Sequence, residues 1–249
     1  MMVLQDGYQK ISMGNALMKV LVFDLGGTLM EYKGMPYSWV DYYEKSFEAV
    51  NIDLNLNLST EDIKQSCEIL KSKNARVVYR EVEYTPEEIF IAVTEHWQNQ
   101  FNIDDVINSF YKGHNLIPEI YADTVGCIKQ LKESGFKISA LTDLPTGMPD
   151  ELFRKDITDI ISHFDLYVSS LTSGFRKPNA TGLLYIAKHF NTNVQELIFI
   201  GDEEKDIKTA KNVNCTSVLI NRGNINNDPK EYGQNFTISS LRELYDIVA

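Results

Sequence analysis

The fold of this chain is decided by residues 19–29, KVLVFDLGGTL, in which an apolar run ends in an aspartate followed by two glycines and a threonine. Such a run predicts a buried strand that delivers the Asp24 carboxylate to the edge of a sheet. Gly26 and Gly27 predict a tight turn directly after it, because glycine enters left-handed backbone conformations without steric cost. Since open α/β sheets keep their chemistry at the carboxyl ends of strands, Asp24 is the first candidate for a functional residue.

Further apolar runs predict the rest of the sheet. They lie at 136–142, 165–170, 197–201 and 216–220, and a short last strand is expected near 236–238. The segments between these strands have helical periodicity; they are 122–134, 179–190 and 204–213, followed by a final helix at 239–248 that Ser239 or Ser240 would cap. This alternation predicts an α/β fold, a doubly wound parallel sheet with helices on both faces.

The segment 33–115 interrupts the alternation, because its patterns are helical throughout. Helices are expected near 37–50, 59–73, 86–100 and 103–112. Ser59 with Asp62, and Thr85 with Glu88, match the capping box that begins many helices. A helical block placed between the first strand and the rest of the sheet predicts an inserted cap. The expected organisation is an N-terminal extension at 1–18, a core at 19–32 plus 116–249, and an all-helical cap domain at 33–115.

The overall charge argues against some classes of partner. The formal net charge is -11 and the pI is near 4.9, which argues against a surface that binds nucleic acid or an anionic membrane. An anionic small molecule stays compatible, because a divalent cation offsets acidic residues locally. No apolar run is long enough to span a membrane, and residues 1–18 lack the apolar segment of a secretory signal. We therefore expect a cytoplasmic protein, either a monomer or a homodimer.

The three cysteines are far apart in the sequence. Cys67, Cys127 and Cys215 form no CxxC pair and have no zinc-ligand spacing. We expect them to be buried apolar thiols in a reducing compartment.

Polar groups follow four successive strands of the predicted sheet. They are Asp24, then Thr142 and Asp143, then Lys177, and finally Asp202 and Asp206. Taken singly, each has an ordinary explanation, because an aspartate forms turns, a threonine caps helices and a lysine stands exposed in a loop. Taken together they share one edge of a parallel sheet, so they are expected to converge.

This set of groups is suited to attack on phosphorus. Asp24 is a carboxylate nucleophile, and Asp24 with Asp202 can share a Mg²⁺ ion, which prefers oxygen ligands. Lys177 can neutralise an anionic substrate and hold Asp24 ionised. The Thr142 hydroxyl and the amides of the Gly27–Thr28 turn can donate hydrogen bonds to phosphoryl oxygens.

With these four motifs the chain resembles the haloacid dehalogenase superfamily of hydrolases. The resemblance covers nearly all of 19–249 and implies a Rossmann-like core with a helical cap between the first and second motifs. It implies that Asp24 forms an aspartyl-phosphate, and that Asp24, the carbonyl of Gly26 and Asp202 hold Mg²⁺. Asp206 would be a metal ligand or would orient metal-bound waters, with Glu203 as a weaker candidate. The substrate contacts implied are Gly27, Thr28, Thr142, Asp143 and Lys177.

Gly26 departs from the pattern of this family. Most of its phosphatases place a second aspartate there, which acts as acid for the leaving oxygen and as base for water, worth ~10²–10⁴-fold. Phosphonate-cleaving members place an alanine there and use a lysine from the cap. Three readings follow: a phosphatase of a small metabolite, a carbon–phosphorus hydrolase that uses a cap lysine, or a binding protein without turnover. Candidate cap lysines are Lys33, Lys45 and Lys73.

The cap sequence also offers residues that would select a substrate. Candidate lining residues are Tyr37, Trp39, Tyr42, Tyr43, Arg76 and Arg80. The alternative interpretation places the aromatic rings in the core of the cap bundle and the two arginines on solvated helix surfaces. No role is assigned to the four histidines, His96, His114, His163 and His189.

Overall fold

The structure, a computed structural model, describes residues 19–34, 38–223 and 231–248. Its strands are β1 (Val20–Phe23), β2 (Met30–Tyr32), β3 (Pro118–Ile120), β4 (Lys137–Thr142), β5 (Leu166–Ser169), β6 (Leu197–Gly201), β7 (Thr216–Ile220) and β8 (Phe236–Ile238). Six of them form one sheet in the order β5-β4-β1-β6-β7-β8. All neighbouring pairs in this sheet are parallel. The expected doubly wound parallel sheet is confirmed.

The central strand β1 is buried on both faces. Leu21 and Phe23 belong to one hydrophobic cluster, whereas Val20 and Val22 belong to the cluster on the opposite face. Such two-sided burial produces a continuous apolar run instead of an alternating one. The register pairs Phe23 with Ala140 of β4 and Ile200 of β6. The carboxyl ends of β1, β4 and β6 therefore meet at the same edge of the sheet.

Four helices occupy the segment predicted to be a cap. They are α1 (Tyr43–Asp53), α2 (Thr60–Lys73), α3 (Pro86–Thr94) and α4 (Ile103–His114). Both expected capping boxes are present, at Ser59 with Asp62 and at Thr85 with Glu88. The first helix is shorter than predicted, because a 3-10 turn at Trp39–Tyr42 precedes α1, and the third ends at Thr94. The boundaries 33–115 of a separate cap stay a prediction.

The helices of the core lie on both faces of the sheet. They are α5 (Thr124–Glu133), α6 (Asp150–Asp156), α7 (Thr158–Ile161), α8 (Ser170–Ser173), α9 (Thr181–His189), α10 (Glu204–Asn212) and α11 (Leu244–Val248). A 3-10 turn capped by Ser240 precedes α11, where the sequence predicted one continuous helix. The short helices α6 to α8 and the antiparallel pair β2–β3 were not predicted. Elements of three to seven residues contain too few repeats to show a period.

The described part of the chain contains no helix that is both long and apolar enough to cross a membrane. The three cysteines are free thiols, with Cys127 and Cys215 buried and Cys67 half-buried. Burial raises the pKa of each, as expected for thiols that pack as apolar groups. Residues 1–18, with the predicted extension, lie outside the described residues.

Candidate active site

Three carboxylates meet where β1 and β6 end. Asp24 directly follows β1, and its backbone N–H donates to the carbonyl of Ile200 at 2.8 Å, which fixes it beside β6. Asp202 follows β6, and Asp206 lies in the first turn of α10. One oxygen from each carboxylate lies within 4.8 Å of the others. The structure thus brings together three residues that the sequence separates by up to 182 positions, from 24 to 206.

Lys177 is buried against this carboxylate cluster. Its Nζ lies 2.6 Å from Asp24 Oδ1 and 2.6 Å from Asp206 Oδ1, and its side chain is only 2% exposed. Burial by itself would lower the pKa of Lys177, but the charges of Asp206 and Asp24 raise it above its ordinary value. The lysine is therefore a fixed cation beside the Asp24 carboxylate.

One lysine does not neutralise three carboxylates. Burial, together with Asp206, raises the pKa of Asp24 to about 6, against the lowering effect of Lys177. Burial and the charges of Asp24 and Asp206 raise the pKa of Asp202 well above its ordinary value. Negative charge in excess, presented by oxygen donors alone, fits a hard divalent cation such as Mg²⁺.

The oxygens of Asp206 are already engaged. Oδ1 lies 2.6 Å from Lys177 Nζ. Oδ2 accepts a hydrogen bond from the backbone N–H of Glu203 at 2.9 Å, which closes the capping box at the start of α10. Among the described residues, Asp202 Oδ1 accepts only a long hydrogen bond, 3.3 Å, from Thr28 Oγ1. Asp24 and Asp202 are thus better placed to bind a cation directly, while Asp206 holds the lysine.

The turn after Asp24 requires glycine at position 27 for two reasons. Gly27 has a φ of +76°, and a Cβ there would lie 2.2 Å from Asp202 Oδ2. The amides of this turn are arranged differently from the prediction. The N–H of Gly27 donates to Met30 at 2.8 Å and that of Thr28 to Leu25 at 3.2 Å, so both are engaged within the turn.

The preceding two amides are the ones left open. Among the described residues, the backbone N–H groups of Leu25 and Gly26 have no hydrogen-bond acceptor. The sequence predicted that the amides of Gly27 and Thr28 bind phosphoryl oxygens, and it did not indicate those of Leu25 and Gly26. The turn geometry that engages Gly27 and Thr28 is visible only in the folded chain.

Gly26 is not required by packing. A Cβ on this residue would meet no atom within 4 Å, and its φ lies outside the left-handed region. The position therefore has both the space and the backbone conformation for a side chain. The lack of one is a chemical feature of the site and not a steric necessity.

Thr142 and Asp143 end β4 at the same edge of the sheet. Thr142 is 3% exposed, and its hydroxyl has no partner within the described segments. Asp143 accepts the backbone N–H of Lys177 on Oδ1 and Lys205 Nζ on Oδ2, both at 3.0 Å. Burial would raise the pKa of Asp143, but Lys205 and Lys177 lower it well below its ordinary value. Its contacts fix the Lys177 loop, and direct contact with substrate stays a prediction.

A second set of charges lies beside these groups, in which Glu203 and Arg76 were candidates from the sequence and Lys205 was missed. Lys205 Nζ lies 3.0 Å from Glu203 Oε2 and 3.0 Å from Asp143 Oδ2. Glu203 Oε1 receives Arg76 Nη2 at 2.8 Å. Burial would raise the pKa of Glu203, but Lys205 and Arg76 lower it to about 2. All five residues that follow β6, at 202–206, are charged, and this run was the available signal.

The cap candidates take up different places. Tyr43 is buried in the aromatic core of the helices, as the alternative interpretation predicted. Trp39 and Tyr42 lie against the ring of His114. Arg80 is not solvated, because its side chain is 12% exposed and pairs with Glu83 at 3.0 Å. Tyr37 lies outside the described residues.

The candidate cap lysines do not approach Asp24. Lys33 and Lys45 are exposed, and Lys73 is half-buried with its Nζ 5.9 Å from the ring centre of Tyr84. In the described ranges, no contact joins any of them to the carboxylate cluster. The structure offers no support for Lys33, Lys45 or Lys73 as a lysine supplied to the site.

Comparison with known proteins places the whole arrangement in a family. A family model described as "Hydrolase: haloacid dehalogenase-like hydrolase" matches residues 18–214. The chain is 32% identical over 130 residues to glyceraldehyde 3-phosphate phosphatase of Methanocaldococcus jannaschii, covering 51% of this chain and 56% of that protein. It is 27% identical over 148 residues to phosphoglycolate phosphatase of Vibrio vulnificus, covering 58% of this chain and 63% of that protein. The matches thus span less than two thirds of either relative.

The fold is similar to a solved structure across nearly its full length. The crystal structure of a HAD phosphatase from Thermococcus onnurineus superposes with a TM-score of 0.60 at 17% identity, covering 92% of this chain and 97% of that one. At this identity the similarity concerns the fold alone. It includes the helical segment as well as the sheet.

Proposed function

The chain belongs to the haloacid dehalogenase-like hydrolases, and on this basis we propose that it is a Mg²⁺-dependent phosphatase of a small phosphorylated metabolite. The observation that carries the proposal is the buried Asp24–Lys177 pair, 2.6 Å apart, beside the Asp202 carboxylate. The two relatives named as phosphatases of glyceraldehyde 3-phosphate and phosphoglycolate support a small phosphorylated substrate.

In this proposal Asp24 is the nucleophile. Its Oδ1 is held by Lys177, which leaves Oδ2 to attack phosphorus and form an aspartyl-phosphate. The bond from phosphorus to the substrate's leaving oxygen breaks in this step, and that oxygen departs with both electrons of the bond. Asp24, the backbone carbonyl of Gly26 and Asp202 would hold Mg²⁺, which would stabilise the negative charge of the phosphoryl group as a Lewis acid. Asp206 acts through Lys177, because its oxygens are occupied by that lysine and by the N–H of Glu203.

Donors for the phosphoryl oxygens come from three strand ends. Lys177 Nζ supplies a charge, and the Thr142 hydroxyl has no competing partner within the described segments. The open amides of Leu25 and Gly26 replace those of Gly27 and Thr28 in this role. Preorganised donors of this kind stabilise charge that develops in the transition state.

The second step returns the enzyme to its starting state. A water oxygen attacks phosphorus, the bond from phosphorus to the Asp24 oxygen breaks, and the electron pair restores the carboxylate. One proton of the water stays on the phosphate and the other passes to solvent. The helical segment 33–115 is the cap in this proposal, and it would exclude bulk water while the phosphoenzyme exists.

Phosphate release from a panel of small phosphate compounds, with and without Mg²⁺, tests the proposal. We expect Mg²⁺-dependent turnover in the native protein, and a loss on the order of 10⁴-fold or more in Asp24→Asn, which keeps the size of the side chain. Circular dichroism of the variant confirms that it is folded. Turnover that survives the substitution, or no turnover on acetyl phosphate and aryl phosphates, would contradict the proposal.

The carbon–phosphorus alternative needs an imine between substrate and a lysine. Borohydride trapping followed by mass spectrometry of Lys33, Lys45 and Lys73 tests it directly. Because these lysines make no described contact with the carboxylate cluster, we expect no labelling. The third reading, binding without turnover, predicts ligand affinity that Asp24→Asn leaves intact and no phosphate release in either protein.

A further inference from the structure

The charged groups around Asp24 hold one another in fixed pairs. Lys177 binds Asp24 and Asp206, and Lys205 binds Asp143 and Glu203. A general acid has to keep a proton available and deliver it to the leaving oxygen. Each of the two lysines is held in ion pairs with two carboxylates. The paired carboxylates accept hydrogen bonds from the lysines and donate none.

The remaining members of the cluster have other tasks. Glu203 is further held by Arg76 at 2.8 Å. Asp202 faces the proposed cation site together with Asp24. The hydroxyls of Thr28 and Thr142 are weak acids in their ordinary state. The described residues thus contain a nucleophile and phosphoryl-binding donors, but no dedicated proton carrier for the leaving group.

The fold leaves room for an acidic side chain at position 26, so the absence of a proton carrier there is not imposed by packing. A Cβ on Gly26 would meet nothing within 4 Å, and the φ of this residue lies outside the left-handed region. Gly26 is two residues after Asp24, in the turn that follows the proposed nucleophile. The site has room for an acid at this position and does without it.

Resting on the proposed function, we infer that the substrates of this site are phosphorylated compounds whose leaving oxygen departs as a stable anion. Acyl phosphates belong to this class, as do phosphates of enols and of acidic hydroxyls. An ordinary alkyl phosphate does not, because its alkoxide has to be protonated as the bond breaks. In this respect the chain differs from the two relatives named above, because glyceraldehyde 3-phosphate and phosphoglycolate are phosphates of ordinary alcohols.

For an acyl phosphate the first step balances without a proton from the protein. An oxygen of Asp24 bonds to phosphorus, and the bond from phosphorus to the acyl oxygen breaks. Both electrons of that bond leave with the oxygen, which is released as a carboxylate. Hydrolysis of the aspartyl-phosphate then follows by the water step given above, and its excess proton goes to solvent.

The test compares leaving groups in the native protein and in two variants of one position. We would measure kcat/KM with Mg²⁺ for acetyl phosphate, 4-nitrophenyl phosphate, phenyl phosphate and glycerol 3-phosphate. We expect the rates to fall in that order, with glycerol 3-phosphate at least ~10²-fold below acetyl phosphate. In Gly26→Asp, the ratio of glycerol 3-phosphate to acetyl phosphate activity should rise by ~10²-fold or more, because a transferable proton is now present.

Gly26→Asn is the matched control, since it has the same shape and no acidic proton. Its ratio should stay within a few-fold of the native value. An equal gain in Gly26→Asn and Gly26→Asp would overturn the inference, as would native activity on glycerol 3-phosphate equal to that on acetyl phosphate. If the variants do not fold, the leaving-group dependence of the native protein decides alone. Absence of turnover on every compound would overturn the proposed function as well, so the two failures are distinguishable.

Discussion

The strand-end site and the helical segment bury opposite kinds of side chain. At the strand ends, Asp24, Lys177 and Asp206 are each less than 10% exposed and are charged groups in direct contact. In the helical segment, the interior is instead filled by aromatic side chains such as Phe47 and Phe110, which are both fully buried. A buried ion pair is seldom more stabilising than apolar packing of the same volume. The comparison shows which region is built for stability and which retains its charges for chemistry.

The two regions are also connected by charge. The side chain of Glu83, from the loop before α3, is buried with that of Arg176, the residue preceding Lys177. The backbone N–H of Glu83 donates to Gly174 at 2.9 Å, and that of Arg176 donates to Glu81 at 2.6 Å. The loop of the helical segment is therefore tied to the loop that carries Lys177. The position of one region affects the geometry of the other.

The largest expected effect comes from removing the cation of the strand-end site. Lys177→Met leaves Asp24 and Asp206 buried without their partner, so stability should fall by about 3–5 kcal/mol. Turnover should fall by roughly 10³-fold as well, because an electrostatic donor to the phosphoryl group is lost. Urea unfolding and phosphate release measure the two effects. The control Lys129→Met, at an exposed lysine, should change neither, and equal behaviour of the two variants would refute the assigned role.

The next effect is purely one of packing. Phe110 packs against Phe47 and Phe90 with ring centres 4.7 and 5.2 Å apart. Phe110→Ala should therefore destabilise the protein by about 3–5 kcal/mol, through lost burial and the cavity that remains. Urea unfolding checks this value, with Ile52→Ala as control, since Ile52 is 78% exposed. If both substitutions cost the same, the helical segment does not have the apolar core described.

A third effect depends on pH and concerns the buried histidine of the helical segment. Burial lowers the pKa of His114 to about 4, while its bond to the carbonyl of Phe110 opposes this. Because the unfolded state binds a proton near pH 6.5 and the folded state does not, stability is full above that pH and falls as pH drops toward 4. Between pH 7 and pH 5 this group should cost about 2 kcal/mol.

Unfolding free energies of the native protein and of His114→Gln at the two pH values isolate this contribution. The native protein should lose about 2 kcal/mol more than His114→Gln between pH 7 and pH 5. His189→Gln, at an exposed histidine, is the matched control for removing one imidazole from the chain. Identical slopes for His114→Gln and the native protein would show that His114 is not buried as a neutral ring.

The smallest effect is expected where the two regions meet at the surface. The Arg76–Glu203 pair has an arginine side chain that is 61% exposed, so Arg76→Met should change stability by less than about 1 kcal/mol. In Glu83→Gln, where the partners Glu83 and Arg176 are 3% and 7% exposed, the loss should be several-fold larger. Thermal unfolding of both variants ranks the contacts. A larger loss for Arg76→Met would reverse the order of importance assigned to them.

Much of the strand-end site could be predicted from the sequence, because a strand buried on both faces is a continuous apolar run whose endpoint is visible locally. The runs before Asp24 and Asp202 have no charge inside them, so a charge directly after each run marks the strand end. The convergence of these residues follows from the parallel order of the sheet, which βα alternation implies. Lys205 escaped the prediction because its pairing with Asp143 needs two loops to meet.

The sequence by itself determined the parallel sheet, the helical insertion and the set of groups at the strand ends, since periodicity and glycine placement are local properties of the chain. Tertiary structure alone decided which groups are paired. In the folded chain the backbone amides of Gly27 and Thr28 donate hydrogen bonds within the turn, whereas those of Leu25 and Gly26 have no acceptor among the described residues. Tertiary structure also placed Lys177 between two carboxylates and left space beside Gly26. Hydrogen bonds and empty volume depend on residues distant in sequence, so no local pattern encodes them.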